Sequence, residues 1–410
     1  LLKFYFYRNK VIVHNPIISS WIGIEENELP ILEKYLKTRD RHDISKDLLR
    51  KIELYRIFDF TDLEVEENFH KLIENFSIPR TVYIVVTEEC NLKCTYCYAE
   101  AGPGKKLRRE LDYEEYDKIF KQLKVAGVKK IVFTGGEVGL KKNFYKILDN
   151  AYKKGFICNL ISNGRVAYNI KQAKFLSERC YKITISLDSL NENNNDDNRG
   201  RGCFKVATKA LENLIKLNFK NLAINQTITK NNIADIDTMV TFAKSHKINL
   251  NIGTFCKLGR GFDDISLTKD ERKEIDRIAM KYKKALNPFT IKVHCGQGIG
   301  EFSIDPMGNV YTCKLLDQKD FYLGNVRAEP LDYIFKNKKI DHFSYSSLGM
   351  EPCKNCSFKL LCGGSCRANH YYSKSKDDSS NVINNEECKI IKGMILEQMY
   401  QFVYGGKEHA

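Results

Sequence analysis

No run of apolar residues in this 410-residue chain approaches the ~18 needed to cross a bilayer, and no secretory signal opens it. A membrane partner is therefore not expected, and the expected compartment is the cytoplasm. Nor is positive charge gathered into one stripe. Sixty-six Lys and Arg are interspersed with 52 Asp and Glu, for a net charge of +14. A nucleic-acid footprint would cluster its basic residues, so a solvated surface is expected and no nucleic-acid partner. What the chain has in excess is cysteine, fourteen in all. Disulfides are disfavoured in the cytosol, and these thiols fall in tight groups, which points to metal. With 43% apolar and 29% charged residues, the whole reads as globular protein long enough for two or three domains.

Cys90, Cys94 and Cys97 fall within eight residues, directly after a short apolar strand beginning at Thr81. A structural zinc site wants four protein ligands, and this group offers three. Three thiolates can hold three irons of a cubane cluster and leave the fourth iron open. From here the chain alternates strand and helix six times. Strands are expected at 82–86, 130–133, 156–161, 182–187, 222–228 and 248–254, with helices at 112–125, 143–153, 171–177, 204–217 and 233–245. Such alternation gives a parallel sheet with its helices outside and its ligands at the carboxyl ends of the strands. Thr134-Gly135-Gly136-Glu137 follows the second strand, Ser162-Asn163-Gly164 the third, and Ser186-Leu187-Asp188-Ser189 the fourth. Residues 191–198 are polar and low in complexity; a mobile loop is expected there, with Arg199 after it.

Asn287-Pro288 marks an interdomain boundary, and beyond it the thiols return: Cys295, Cys313, Cys353, Cys356, Cys362, Cys366 and Cys388. A zinc ribbon uses paired thiols, but seven are too many for one zinc. Residues 303–313 read as a hairpin turning at Gly308. Cys158, Cys180 and Cys203 read as buried, inert thiols. At the other end, residues 2–7, 11–13 and 20–24 read as three strands. A helix from Leu29 to Leu36 follows, then another with Asp43 as its cap.

The Cys90-x-x-x-Cys94-x-x-Cys97 spacing, with Tyr96 before the last thiol, resembles the signature of the radical S-adenosylmethionine (radical SAM) enzymes. Tyr311-Thr312-Cys313, Leu323-Gly324-Asn325 and Cys362-Gly363-Gly364-Ser365-Cys366 resemble the SPASM extension of radical SAM peptide maturases. The resemblance implies an α/β fold: a partial (β/α)6 barrel, an N-terminal winged-helix-like domain and a C-terminal Cys-rich SPASM domain. The expected boundaries are 1–75, 76–255, a helical bridge at 256–290, 291–392, and a terminal helix and tail at 393–410.

Three [4Fe–4S] clusters are implied. One sits on Cys90, Cys94 and Cys97, and one auxiliary cluster on Cys353, Cys356, Cys362 and Cys388. The other auxiliary cluster has Cys295, Cys313 and Cys366, with Cys256 or a substrate thiol as its fourth ligand. S-adenosylmethionine would be bound by Tyr96, Gly135, Gly136, Glu137, Ser162, Asn163, Ser186, Asp188 and Arg199. In that family the glutamate holds the methionyl ammonium, polar groups at the next strand ends meet the ribose and carboxylate, and a loop Arg pairs with the carboxylate. Val138 stands where the family usually has Pro.

Residues 1–75 are similar to the recognition element that binds the leader of a ribosomally made precursor peptide as an added strand. The implied activity is an oxidative crosslink in such a peptide, a thioether ahead of a carbon–carbon bond, made through a 5′-deoxyadenosyl radical. A reductant such as flavodoxin or ferredoxin is implied as a partner. The alternatives are a sulfatase-type maturase making formylglycine and an RNA-modifying radical enzyme. Lys314, where the sulfatase-type enzymes typically have Asp, argues against the first of these.

Overall fold

The computed structural model describes residues 2–405 apart from 62–63, 76–79, 106–108, 255–257, 263–267, 269, 272–273, 276–277, 279–285, 338–340 and 374–384. The chain divides into two compact units. One joins Leu1–Leu72, Met280–Cys295 and Asp341–Ala410; the other joins Ile73–Ala279 and Gly296–Ile340.

In the first unit, β1 (Lys3–Tyr7), β2 (Lys10–Asn15) and β3 (Ser20–Ile24) form an antiparallel sheet in that order. Arg8 and Asn9 take φ of 48° and 57°, the left-handed pair that a tight hairpin turn requires. Both faces of the sheet are buried. Val11, Val13, Ile22 and Ile24 meet Leu32 of α1 (Leu29–Thr38) and Leu48 and Ile52 of α2 (Lys46–Leu54). Ile12 and Trp21 point the other way, into a core with Phe358, Leu361, Ile395 and Met399. The last two belong to the long helix Asn385–Tyr404. The cap of α2 differs from expectation. Ser45, not Asp43, accepts from the Leu48 N–H at 3.1 Å, because a cap must stand three residues before the donor it satisfies. Asp43 pairs with Lys34 instead. A further helix, α3 (Val65–Asn75), follows.

The second unit is built on β4 (Thr81–Val85), β5 (Lys130–Thr134), β6 (Ile157–Ser162), β7 (Cys180–Ser186), β8 (Leu222–Ile228) and β9 (Asn249–Thr254), parallel and in sequence order. Helices α4 (Tyr113–Val125), α5 (Phe144–Lys153), α6 (Ile170–Arg179), α7 (Glu192–Arg199), α8 (Cys203–Lys216) and α9 (Ile236–Ser245) connect them. Val82 and Ile84, Ile131 and Phe133, and Ile183 and Ile185 alternate into one core with Phe120, Leu148 and Leu211 of the helices. This is the partial barrel expected.

The stretch expected as one Cys-rich domain is divided between the units. Its β10 (Glu301–Ile304) pairs parallel with β4, and β11 (Asn309–Tyr311) and β12 (Tyr322–Asn325) extend the barrel sheet to nine strands. A bare β4 edge would leave a row of unpaired backbone groups, and β10 satisfies them. The expected turn is present, with Gly308 at φ 87°. The terminal helix starts earlier than expected, at Asn385, and so includes Cys388. No described helix is long and apolar enough to cross a membrane.

Candidate functional site

The loop after β4 carries Cys90, Cys94 and Cys97 and is fastened at several points within the second unit. The Cys90 N–H donates to the Gly102 carbonyl at 3.1 Å, and the Thr95 N–H to the Asn198 carbonyl at 2.9 Å. Arg260 donates from Nε to the Cys94 carbonyl at 2.8 Å and from Nη2 to the Ala101 carbonyl at 2.7 Å. Cys90 and Cys94 are buried, which pushes the Cys90 thiol up to about 11 and raises that of Cys94 as well. Thiolate there needs a compensating positive centre, and a ligated metal releases the proton.

The glycine pair after β5 lets two backbones meet. A Cβ on Gly136 would fall 2.3 Å from the Glu89 carbonyl oxygen, and one on Gly135 would fall 2.6 Å from that of Thr87. Glu137 is buried at the carboxyl end of β5. It accepts from Ser162 Oγ and the Asn163 N–H, both at 2.8 Å, and from the Gly139 N–H at 3.3 Å. Burial raises its pKa, and these donors act against the rise. Glu137 thus ties the end of β5 to the end of β6. Asn163 extends the tie, donating to Asn91 Oδ1 at 3.0 Å, with Cys90 Sγ at 4.0 Å.

On the far side of the loop, Asp188 after β7 accepts from the Tyr96 hydroxyl and from Arg199 Nη1, the latter at 3.3 Å. Arg199 Nη1 also reaches the Tyr96 oxygen at 2.6 Å, and the Thr227 N–H donates to Asp188 at 3.0 Å. All three groups are drawn together at the strand ends. Ser186 stands at the end of β7, opposite Asn225 of β8.

The residues expected to be a mobile loop are the helix α7, which delivers Arg199. Asn191 caps it, accepting from the Asn193 N–H at 2.9 Å and the Asn194 N–H at 3.3 Å. Asn195 and Asn198 are buried on its inner face. Low complexity concealed the cap and the helical spacing of those asparagines. Arg260 was missed altogether. Its only sequence signal is its Gly259 and Gly261 flanks, and a Cβ on Gly259 would fall 2.5 Å from the Tyr98 carbonyl.

The donor set fits the groups that the sequence implies. Arg199 Nε is buried with no partner, a donor left for an anion beside the Cys loop. In the first unit, Cys353, Cys356, Cys362 and Cys388 line one cavity, with Phe358 and Ile391 among its walls. Among the described residues, no three His, Cys, Asp or Glu side chains stand close enough to hold a single metal ion. A cubane is held from its corners, one thiolate per iron, and four thiols facing one cavity suit it. Cys295 and Cys366 belong to the first unit and Cys313 to the second. Cys256 lies outside the described residues. Cys158, Cys180 and Cys203 are buried.

These features define a class. The model of the radical SAM superfamily matches residues 84–243, and that of an iron–sulfur cluster-binding SPASM domain matches residues 295–357. Among its relatives, the mycofactocin maturase MftC of Mycolicibacterium smegmatis is 26% identical over 74% of this chain and 83% of its own. The antilisterial bacteriocin subtilosin biosynthesis protein AlbA of Bacillus subtilis is 28% identical over 73% of this chain and 71% of its own. In fold the chain resembles Streptococcus suis SuiB bound to S-adenosylmethionine. That match has a TM-score of 0.61 at 16% identity and covers 94% of this chain and 98% of SuiB.

Proposed function

We propose that this enzyme modifies a ribosomally made precursor peptide, introducing an oxidative crosslink. The observation that carries the reading is in the first unit. There the cavity of Cys353, Cys356, Cys362 and Cys388 and the N-terminal sheet share one core. Tyr5 of β1 stacks on Phe358 at 5.0 Å and hydrogen-bonds Ser357 at 2.7 Å, two residues either side of the thiol loop's centre. Among the described residues β1 pairs only with β2, and its outer edge is where a peptide strand would add. The names of the relatives MftC and AlbA, a maturase and a bacteriocin biosynthesis protein, support the same class of substrate. So does the likeness to SuiB, whose structure is also known bound to the precursor peptide SuiA.

When bound, the cluster on Cys90, Cys94 and Cys97 with S-adenosylmethionine supplies a 5′-deoxyadenosyl radical able to take hydrogen from an unactivated carbon. The chain's own residues bind and orient. Gly135 and Gly136 let the loop approach, Glu137 and Asn163 fix its near side, Tyr96 and Asp188 its far side, and Arg199 offers its free donor to the cofactor's carboxylate. Two auxiliary clusters complete a set of three, and a flavodoxin or ferredoxin serves as reductant in the cytoplasm. A thioether is favoured over a carbon–carbon bond, because three thiols, Cys295, Cys313 and Cys366, are assigned to one auxiliary group, and its fourth ligand is either Cys256 or a substrate thiol. A peptide Cys can serve as its fourth ligand, held deprotonated.

The test uses anaerobically reconstituted protein, S-adenosylmethionine, a reductant and a candidate Cys-bearing precursor peptide. Mass spectrometry should show a loss of two hydrogens per crosslink, with a peptide Cys no longer alkylatable. A peptide with that Cys replaced by Ala that still loses two hydrogens at the same rate overturns the thioether. An unchanged peptide, alongside a modified RNA, overturns the substrate class.

A further inference from the structure

Arg367 follows the Cys362-Gly363-Gly364-Ser365-Cys366 loop and is 3% exposed. The loop runs through three successive left-handed residues, Gly363, Gly364 and Ser365, at φ 64°, 76° and 63°. Only glycine takes that conformation without cost, and Ser365 is held there against its preference. The consequence is that their carbonyls turn toward one guanidinium. Arg367 donates from Nη2 to the Gly363 carbonyl at 2.9 Å, from Nη1 to those of Gly364 and Ser365, and from Nε to that of Tyr345. The fit is close: a Cβ on Gly364 would fall 2.6 Å from Arg367 Nη2.

Hydrogen bonding is therefore satisfied, but charge is not. Among the described residues no carboxylate forms an ion pair with Arg367. A buried cation without a counter-ion is strongly unfavourable, and a guanidinium does not escape by losing its proton. Its electrostatic neighbours are Cys295, Cys353, Cys362 and Cys366, thiols from both auxiliary groups. Four-iron clusters held by thiolates carry net negative charge, which is the counter-ion this site lacks.

We propose that Arg367 is the buried counter-cation of the auxiliary thiolate clusters, a positioning residue that fixes the Cys362–Cys366 loop and sets their reduction potential. The inference rests on the cluster reading of these thiols. Reduction adds an electron to an already negative group, so a nearby fixed cation favours the reduced form and raises the potential.

The test is an EPR-monitored redox titration of full-length reconstituted protein, with Cys90, Cys94 and Cys97 all changed to Ala so that only auxiliary signals are read. Arg367→Gln should lower the auxiliary potential by a tenfold or greater change in the reduction equilibrium, about 59 mV per tenfold for one electron. Arg367→Lys, which keeps the charge and loses the four-carbonyl fit, should retain most of the original potential. Should Arg367→Gln fail to load iron while Arg367→Lys loads it, the charge is needed for assembly, which also supports the proposal. Equal shifts in both variants, equal iron loss in both, or an unmoved potential in Arg367→Gln overturn it. Absence of any auxiliary signal before Arg367 is touched overturns the cluster reading itself.

Discussion

The two units hold their thiols by different means. In the second, the Cys90–Cys97 loop is fastened by Asn163 and Asp188 at strand ends, by Asn198 and Arg199 of helix α7, and by Arg260. The sheet is the frame, with helix α7 carried on the turn that follows β7. In the first unit, the thiols come from a short turn at 353–355, the helix Lys359–Cys362 and the helix Asn385–Tyr404. Their frame is an apolar core shared with β1–β3, so distant parts of the chain must be present together. A parallel barrel site is locally supported; the Cys-rich site depends on its neighbours' packing.

The sharpest way to break that contrast is to remove each set of thiols in turn. Changing Cys90, Cys94 and Cys97 together to Ala should abolish 5′-deoxyadenosine formation and remove about four irons, one cluster's worth. Changing Cys353, Cys356, Cys362 and Cys388 to Ala should remove a similar share of iron while uncoupled S-adenosylmethionine cleavage persists. Loss of cleavage in the second variant would mean that the two sites are not separately supported.

A smaller effect follows from the shared core. Trp21 is fully buried against the terminal helix, so Trp21→Ala should destabilise the first unit by about 3–5 kcal/mol. Chemical denaturation followed by near-UV signal would measure it, and iron should be lost from the later thiols before the first three. Next in size is the far-side fastening of the barrel loop. Tyr96→Phe deletes a hydroxyl shared by Asp188 and Arg199, worth about 1.5–3 kcal/mol for hydrogen bonds to charged groups. Cleavage of S-adenosylmethionine should fall by about tenfold, which is about 1.4 kcal/mol, with iron content unchanged.

The smallest effect is a pH dependence confined to the first unit. His14 is buried between Phe358 and Trp21, and burial lowers its pKa from 6.5 to about 3. The unfolded chain therefore takes up a proton near pH 6.5 that the folded chain refuses. Stability from this group is complete above pH 6.5 and declines as pH falls toward about 3. Over the first pH unit below 6.5 the loss should be about 1 kcal/mol. His14→Phe should remove that part of the slope; an unaltered slope would show that His14 is accessible to protons in the folded state.

Spacing made the barrel and its first three thiols legible, because strand alternation and a strand-end loop are local patterns. Gly135-Gly136-Glu137 was legible for the same reason. The partners of Glu137 were not, since a carboxylate in a motif does not reveal that Ser162 and Asn163 will engage it from the next strand. Helix α7 was misread because asparagine-rich sequence carries little apolar periodicity, and its stability comes from a cap and from burial in tertiary contacts. Placement of β10–β12 on the β4 edge depended on a pairing between residues more than two hundred positions apart, which no local pattern encodes. The same is true of the first unit, assembled from three separated segments.

That assembly has a consequence in time. The Tyr404 hydroxyl donates to the Ile24 carbonyl across 380 positions of sequence, and Gly23 has no side chain because the Tyr404 ring occupies its place. As the chain leaves the ribosome, β1–β3 emerge with Ile12 and Trp21 exposed, and the helix that covers them follows only after the barrel strands have been made. The barrel strands between them can pair with their immediate successors meanwhile. Long-range closure is slow, and waiting apolar surface is prone to aggregate. The yield of folded protein is therefore expected to depend on how long β1–β3 wait for the helix Asn385–Tyr404.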